Sequence, residues 1–348
     1  MAVYISNIRL VNFRLFKKAE LELHPELCVF LGDNGSGKTA ILDALSMLIS
    51  GIFPYCNYQP RIKAIPYALH NFLTWSAPLR GKQRIVRADV SGIVGVMSHT
   101  RMDGKEKHLE WLALSIGQKI STGEDVSIPS TKRDIANAYN LCVECGQGIP
   151  AFAHYGPHRG AEQGDRKRFK RRKINYTNPF AAYINSLHPS LDFDAFLEWF
   201  SEEEASELRE QRKTKGYVSK ELDAVRRAIE QVFFHAERHC FDPRFESNPK
   251  RFVITETSTS GESLEREFDQ LSDGYRGMIA LVSDFARRLA IANQYTEEDP
   301  LLGEGVLIID EIDAHLHPKW QYRVIDDLRR TFPNVQLIVS THSPEVVS

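Results

Sequence analysis

Leu27-Cys28-Val29-Phe30-Leu31-Gly32-Asp33-Asn34-Gly35-Ser36-Gly37-Lys38-Thr39 is the stretch on which the reading of this 348-residue chain turns. Five apolar residues in a row suit a strand buried on both faces. A glycine-rich turn follows, and a helical pattern runs from Thr39 to about Ile49. Gly32 to Thr39 satisfies G-x-x-x-x-G-K-[ST] at every fixed position, in the strand-to-helix context the motif requires. Gly32, Gly35 and Gly37 let backbone N–H groups around Asp33, Asn34 and Ser36 point inward at phosphate oxygens. The helix N-terminus adds partial positive charge. Lys38 is expected on the β- and γ-phosphates of ATP, and Thr39 on Mg2+.

A second segment completes that chemistry. Val306-Leu307-Ile308-Ile309-Asp310-Glu311 is a fully apolar strand ending in two acids. A parallel sheet would deliver Asp310 to the carboxyl edge beside the phosphate loop, as a magnesium ligand. Glu311 would then be the general base for the attacking water. Val335-Gln336-Leu337-Ile338-Val339 reads as a third buried strand, and Tyr322 to Thr331 as a helix. Alternating strands and helices imply an α/β fold with a parallel sheet.

Three further segments carry a resemblance. Leu271-Ser272-Asp273-Gly274-Tyr275-Arg276 resembles the signature of ABC ATPases, with Asp273 where a second glycine is usual. Ile312-Asp313-Ala314-His315-Leu316-His317-Pro318 looks like the D-loop, and Ser340-Thr341-His342-Ser343-Pro344 like the switch-histidine segment. Leu10-Val11-Asn12-Phe13-Arg14 resembles the N-terminal strand end of the RecF and SMC group. The chain thus resembles an ABC-type ATPase head of the RecF, SMC and OLD-like group, over roughly 1–50 and 268–348. That resemblance implies a P-loop NTPase fold, an ABC head with a mixed sheet plus a helical lobe. It implies Asn12 and Arg14 near the nucleotide and His342 on the γ-phosphate. It also implies Ser272 and Gly274 facing the ATP of a second copy, in an ATP-dependent homodimer. The bland reading of Asp313 is a helix cap.

The expected organisation has three parts. Residues 1–150 form the first part of the ATPase lobe with a β-hairpin subdomain, 151–295 the helical lobe, and 296–348 the rest of the ATPase lobe. Val3 to Leu10 and Glu20 to Leu23 alternate like half-buried strands. Arg84 to Leu114 reads as a hairpin turning at Met102-Asp103-Gly104-Lys105. Phe180 to Glu237 is helical with a break near Lys215-Gly216, and a further helix runs from Ser272 to about Asn293. Phe152 to Arg159 resembles the lid-reaching segment of OLD-like ATPases, with a strand that ends by exposing His158 and Arg159; Gln163 is a candidate lid glutamine.

Charge says little globally. Lys+Arg number 44 and Asp+Glu 46, so only a local surface could attract nucleic acid. Arg166 to Lys173 is such a surface, with seven cations in eight positions, and DNA is its expected partner. The acids between Ser201 and Glu210 are the alternative partners of that block. Met1 to Leu10 has no charged start followed by an apolar run, so no secretory signal is expected. No apolar run is long enough for a membrane span. Five cysteines in this length suit a reducing cytoplasm rather than a disulfide framework. The insertion lacks sustained heptads, which favours RecF or OLD geometry over a long SMC coiled coil. Family members usually continue beyond the switch histidine, so the chain is expected to lack a C-terminal part. The role expected is a DNA-linked ATPase in repair, recombination or anti-phage defence. Alternatives are an ATP sensor controlling a partner nuclease or toxin, and a transporter ATP-binding subunit.

Overall fold

Alternation at the N-terminus builds the first sheet. In the computed structural model, which describes residues 2–59, 61–65, 74–75, 84–85, 89–97, 109–113, 130–159, 174–237 and 240–347, β1 (Ala2–Phe13) pairs antiparallel with β2 (Phe16–Glu22). Val3 and Ile5 are buried, then Ile8 and Leu10, so the alternation changes phase. A β-bulge between Ile5 and Asn7 causes this, because one extra residue flips the side chains that follow. After β3 (Leu27–Leu31), α1 (Lys38–Ser50) and the short pair β4 (Thr74–Trp75) and β5 (Arg84–Ile85), the chain returns to this sheet. β6 (Asp89–Met97) and β7 (Leu109–Ala113) pair antiparallel, giving the order β2-β1-β6-β7. The two arms of the expected hairpin are therefore present, while its turn at 102–105 lies outside the described residues.

The second sheet is parallel and lies at the centre. After α2 (Ser130–Glu144) comes β8 (Ala151–Tyr155), and β12 (Gly305–Ile309) and β13 (Val335–Thr341) complete the order β3-β13-β12-β8. β8, β12 and β13 are buried at every residue. β3 corrects an expectation. It is only half-buried and Leu31 is 50% exposed, because among the described residues β3 is the edge strand and pairs with β13 alone. β8 opens the segment expected to be helical, so residues 151–295 contribute an edge strand to this sheet as well as helices. The fold is α/β, with antiparallel and parallel sheets and helices packed against them.

The helices follow their sequence signals. α3 (Phe193–Gln211) is capped by Asp192, whose carboxylate accepts from the Ala195 N–H. The expected break falls between α3 and α4 (Lys220–Glu237), where Gly216 takes a left-handed φ. Three acids of α3 find partners close by. Glu204 and Glu207 bind Arg226 on α4, and Glu210 binds Lys213. A third sheet, unforeseen from sequence, follows: β9 (Cys240–Ser247), β10 (Lys250–Thr257) and β11 (Ser263–Glu267), all antiparallel. Phe193, Phe196, Phe200, Phe252 and Phe268 interlock between α3 and this sheet, with centroids 4.4–6.2 Å apart in the contacting pairs. α5 (Asp273–Ala292) is buried from Gly277 to its end. The helix expected over Tyr322 to Thr331 forms as α7 (Val324–Thr331), preceded by a separate short turn, α6 (Pro318–Gln321).

Candidate functional site

Four segments far apart in sequence meet at the carboxyl ends of β3, β12 and β13. The phosphate loop joins β3 to α1, with Gly37 as N-cap at φ +99°. Glycine is required there twice over. Only glycine adopts that φ at little cost, and a Cβ would stand 2.7 Å from the Phe16 ring. Phe16 and Leu15 thereby hold the β1–β2 turn against the loop. Arg14 in that turn has φ +48°, and its guanidinium bridges to Asp43 on α1 at 2.7 Å. Asn12 lies in β1 just before the turn; its side chain is outside the described residues.

Lys38 is buried and donates from Nζ to the Gly32 carbonyl at 2.6 Å and the Asp33 carbonyl at 2.9 Å. The ammonium thus lies inside the curve of its own loop. Thr39 donates its hydroxyl to Asp310 Oδ2 at 2.8 Å. The other oxygen of Asp310 accepts from the Ser340 hydroxyl, and the same Ser340 oxygen accepts the Glu311 N–H at 2.8 Å. Ser340 therefore fixes both acids at once. The side chain of Asp310 is 4% exposed, while Glu311 is reachable from solvent.

His342 lies between the loop and the acids. Its Nδ1 is 3.5 Å from Lys38 Nζ, and its Nε2 is 3.7 Å from Glu311 Oε1. Asp313 is not a helix cap. Its Oδ1 accepts from the Thr341 hydroxyl at 2.6 Å and from the His342 N–H at 3.2 Å, so the segment after β12 pins the segment after β13. Thr39 and Asp310 offer paired oxygen donors of the kind magnesium takes together with substrate phosphates.

The start of α5 packs against the same segment. Ser272 is exposed and caps α5, accepting the Tyr275 N–H at 3.5 Å. Asp273 pairs with Arg276 one turn on. Gly274 approaches the D-loop-like segment so closely that a Cβ would stand 2.4 Å from the His315 carbonyl oxygen. Further along α5, Asp284 binds Arg287 and Arg288 and accepts the Tyr155 hydroxyl at 2.7 Å. Burial alone would raise the Asp284 carboxyl; Arg288 and Arg287 outweigh it and hold it below the ordinary carboxylate range.

Two expected features stand differently. His158 is exposed, but Arg159 is 2% exposed and turned inward against the acidic strand end. Gln163 and the block from Arg166 to Lys173 lie outside the described residues. His154 on β8 was not singled out by the sequence. It is buried against Ser46 of α1, Nδ1 to Oγ 2.9 Å, and burial lowers its pKa below the ordinary imidazole value. No helix among the described residues is long and apolar enough to cross a membrane.

The chain is similar to several known proteins. The family model described as "AAA domain, putative AbiEii toxin, Type IV TA system" matches residues 143–348, and the one described as "AAA ATPase domain" matches residues 3–78. A relative from Vibrio cholerae serotype O1 biovar El Tor, "Retron Vc95 probable ATPase", is 26% identical over 99% of this chain and 71% of its own length. A "DNA replication and repair protein RecF" from Mesorhizobium japonicum is 33% identical over 35% of this chain and 24% of its own length. Among solved structures, an SMC head bound to the C-terminal winged-helix domain of ScpA aligns at TM-score 0.49 and 16% identity, over 99% of this chain and 91% of that one. The first family match spans more than half of the chain, so the chain belongs to the AAA-domain family described as putative AbiEii toxin, Type IV TA system, and is an ABC-type ATPase head of the RecF, SMC and OLD group.

Proposed function

We propose that this head binds ATP with magnesium and hydrolyses it, and that bound ATP draws two copies together. The observation that carries the reading is convergence. Residues 32–39, 310–313 and 340–343 meet at one sheet edge, joined by the Thr39–Asp310, Ser340–Asp310 and Asp313–His342 hydrogen bonds. No core-packing requirement brings a lysine, two acids, a threonine and a histidine to one edge; phosphoryl transfer does.

The roles follow from the chemistry of each group. Loop N–H groups and the start of α1 cradle the phosphates, and Lys38 neutralises the β- and γ-phosphates. Thr39 and Asp310 hold magnesium, which spreads the charge that develops on the γ-phosphate. Glu311 takes a proton from water, whose oxygen attacks the γ-phosphorus. The bond to the β–γ bridging oxygen breaks, leaving ADP and inorganic phosphate. His342 contacts the γ-phosphate and the water. Arg14 in the β1–β2 turn and Asn12 just before it border the nucleotide.

The exposed Ser272 at the start of α5, with Gly274 beside it, meets the γ-phosphate bound by the partner copy. In this organisation 1–150 and 296–348 form the ATPase lobe, and 151–295 the helical lobe. The retron and RecF relatives favour anti-phage defence or DNA repair as the setting, with DNA on the basic block and a nuclease or other effector as partner. The test is phosphate release from wild type and Lys38→Ala. Magnesium-dependent release by wild type and none by the variant is expected. Equal release by both would remove the loop from the chemistry.

A further inference from the structure

Arg159 stands four residues past the end of β8, yet it belongs to the acidic strand end. Its guanidinium makes four hydrogen bonds, all to carbonyl oxygens. Nη1 donates to Gly156 at 3.2 Å and Asp310 at 2.9 Å; Nη2 donates to Glu311 and Ile312, both at 2.9 Å. Carbonyls of successive residues in an extended strand point in alternate directions. Three of them reach one guanidinium here because the chain turns sharply at Glu311, which holds φ +48°. That left-handed conformation is uncommon for a glutamate and persists only when its surroundings over-determine it.

The surroundings are Arg159 on one side and Ser340 on the other, where the Glu311 N–H meets the Ser340 hydroxyl. Only a planar fork of donors can span carbonyls in this way. Burial pushes the Arg159 guanidinium down to about 10, opposed by Asp313, Asp310 and Glu311, so it is charged at neutral pH behind the three acids.

We propose that Arg159 is a positioning residue for hydrolysis, clamping the main chain of residues 310–312 so that the Glu311 carboxylate is aimed at the attacking water. This rests on the reading of Glu311 as general base. Arg159 lies behind the acids, bonded to main-chain carbonyls alone, so its loss should fall on turnover and spare ATP binding. It should also act entirely through Glu311.

The experiment measures ATP affinity and phosphate release for wild type, Arg159→Ala, Arg159→Lys, Glu311→Gln and the Arg159→Ala/Glu311→Gln double variant, with circular dichroism to verify folding. Arg159→Ala is expected to bind ATP within about threefold of wild type. Its turnover should fall roughly ten- to a hundredfold, the scale of a small misplacement of a reacting group. In the Glu311→Gln background it should cause no further loss. Arg159→Lys keeps the charge but not the fork, and should lose turnover with affinity unchanged; it carries the test if the alanine variant does not fold. Wild-type turnover from either variant would overturn the clamp. So would loss of ATP binding in step with turnover, or a loss that adds in full to that of Glu311→Gln. If Glu311→Gln itself turns over like wild type, the base assignment fails instead, and the two failures stay distinct.

Discussion

Replacing Asp284 with Asn tests whether α5 is welded to the parallel sheet by charge. Asp284 is fully buried and serves three donors: Arg287, Arg288 Nε at 2.8 Å and the Tyr155 hydroxyl at 2.7 Å. Tyr155 in turn gives its carbonyl to the Asp310 N–H at 2.8 Å, so the network runs from α5 to the acidic strand end. Asparagine keeps the volume but takes from two buried guanidinium groups the carboxylate they share. Breaking one partner of a buried pair costs about 3–5 kcal/mol, a large part of the roughly 5–15 kcal/mol that holds a domain folded.

The pH dependence follows from the sign of the shift. The folded carboxyl sits below its ordinary value of 3.8, so its contribution is present above that value and is lost as pH falls through the folded pKa. Urea unfolding of wild type and Asp284→Asn, followed by circular dichroism, should therefore show a constant gap from pH 7 down to about 5, closing only below about 4. A triple variant, Asp284→Leu with Arg287→Met and Arg288→Met, should recover much of the loss, because no charge is then stranded. A gap under about 1 kcal/mol at pH 7 would show that the network is not holding α5 to the parallel sheet.

Other outcomes are expected from the same geometry. Because burial holds His154 neutral, the unfolded chain binds its proton more readily; wild-type stability should fall as pH drops below 6.5, and His154→Gln should lose that slope in urea titrations. In light scattering, Glu311→Gln with ATP and magnesium should be a dimer and without nucleotide a monomer, and adding Ser272→Arg should restore the monomer; a mass indifferent to ATP contradicts this. Four serines replacing cations between Arg166 and Lys173 should weaken DNA binding and flatten its salt dependence by roughly 0.9 log units per lost phosphate contact, and an unchanged slope would make the block a bystander.

Much of the site was legible because its residues work locally. The phosphate loop declares itself through glycines that the backbone cannot do without, and Gly37 has both the φ and the contact that exclude a side chain. Asp310 and Glu311 were readable because an apolar strand must end somewhere, and here it ends in acids. The misses are relations between segments. Nothing in Leu27 to Leu31 says that no strand lies beyond it, so an edge strand read as a central one. The β9–β11 sheet carries Arg244, Glu246, Arg251, Glu265 and Glu267 as cross-strand ion pairs, so its charged residues hid the alternation. Arg159 read as an exposed loop cation, because three of its four partners are main-chain carbonyls 151 to 153 positions away and leave no side-chain signature. Asp313 in its D-loop-like segment could also be read blandly as a cap, and only the return of β13 supplies Thr341 and His342 as its donors.

The assignment of Glu311 as the base for ATP held by other residues is tested by one paired measurement on Glu311→Gln. ATP affinity and single-turnover phosphate release are read on the same preparation beside wild type. ATP binding should stay close to wild type, because the loop, Lys38, Thr39 and Asp310 are untouched. Release should fall by roughly a hundredfold or more, the scale of a lost general base. Release at the wild-type rate, or loss of ATP binding together with turnover, would contradict it.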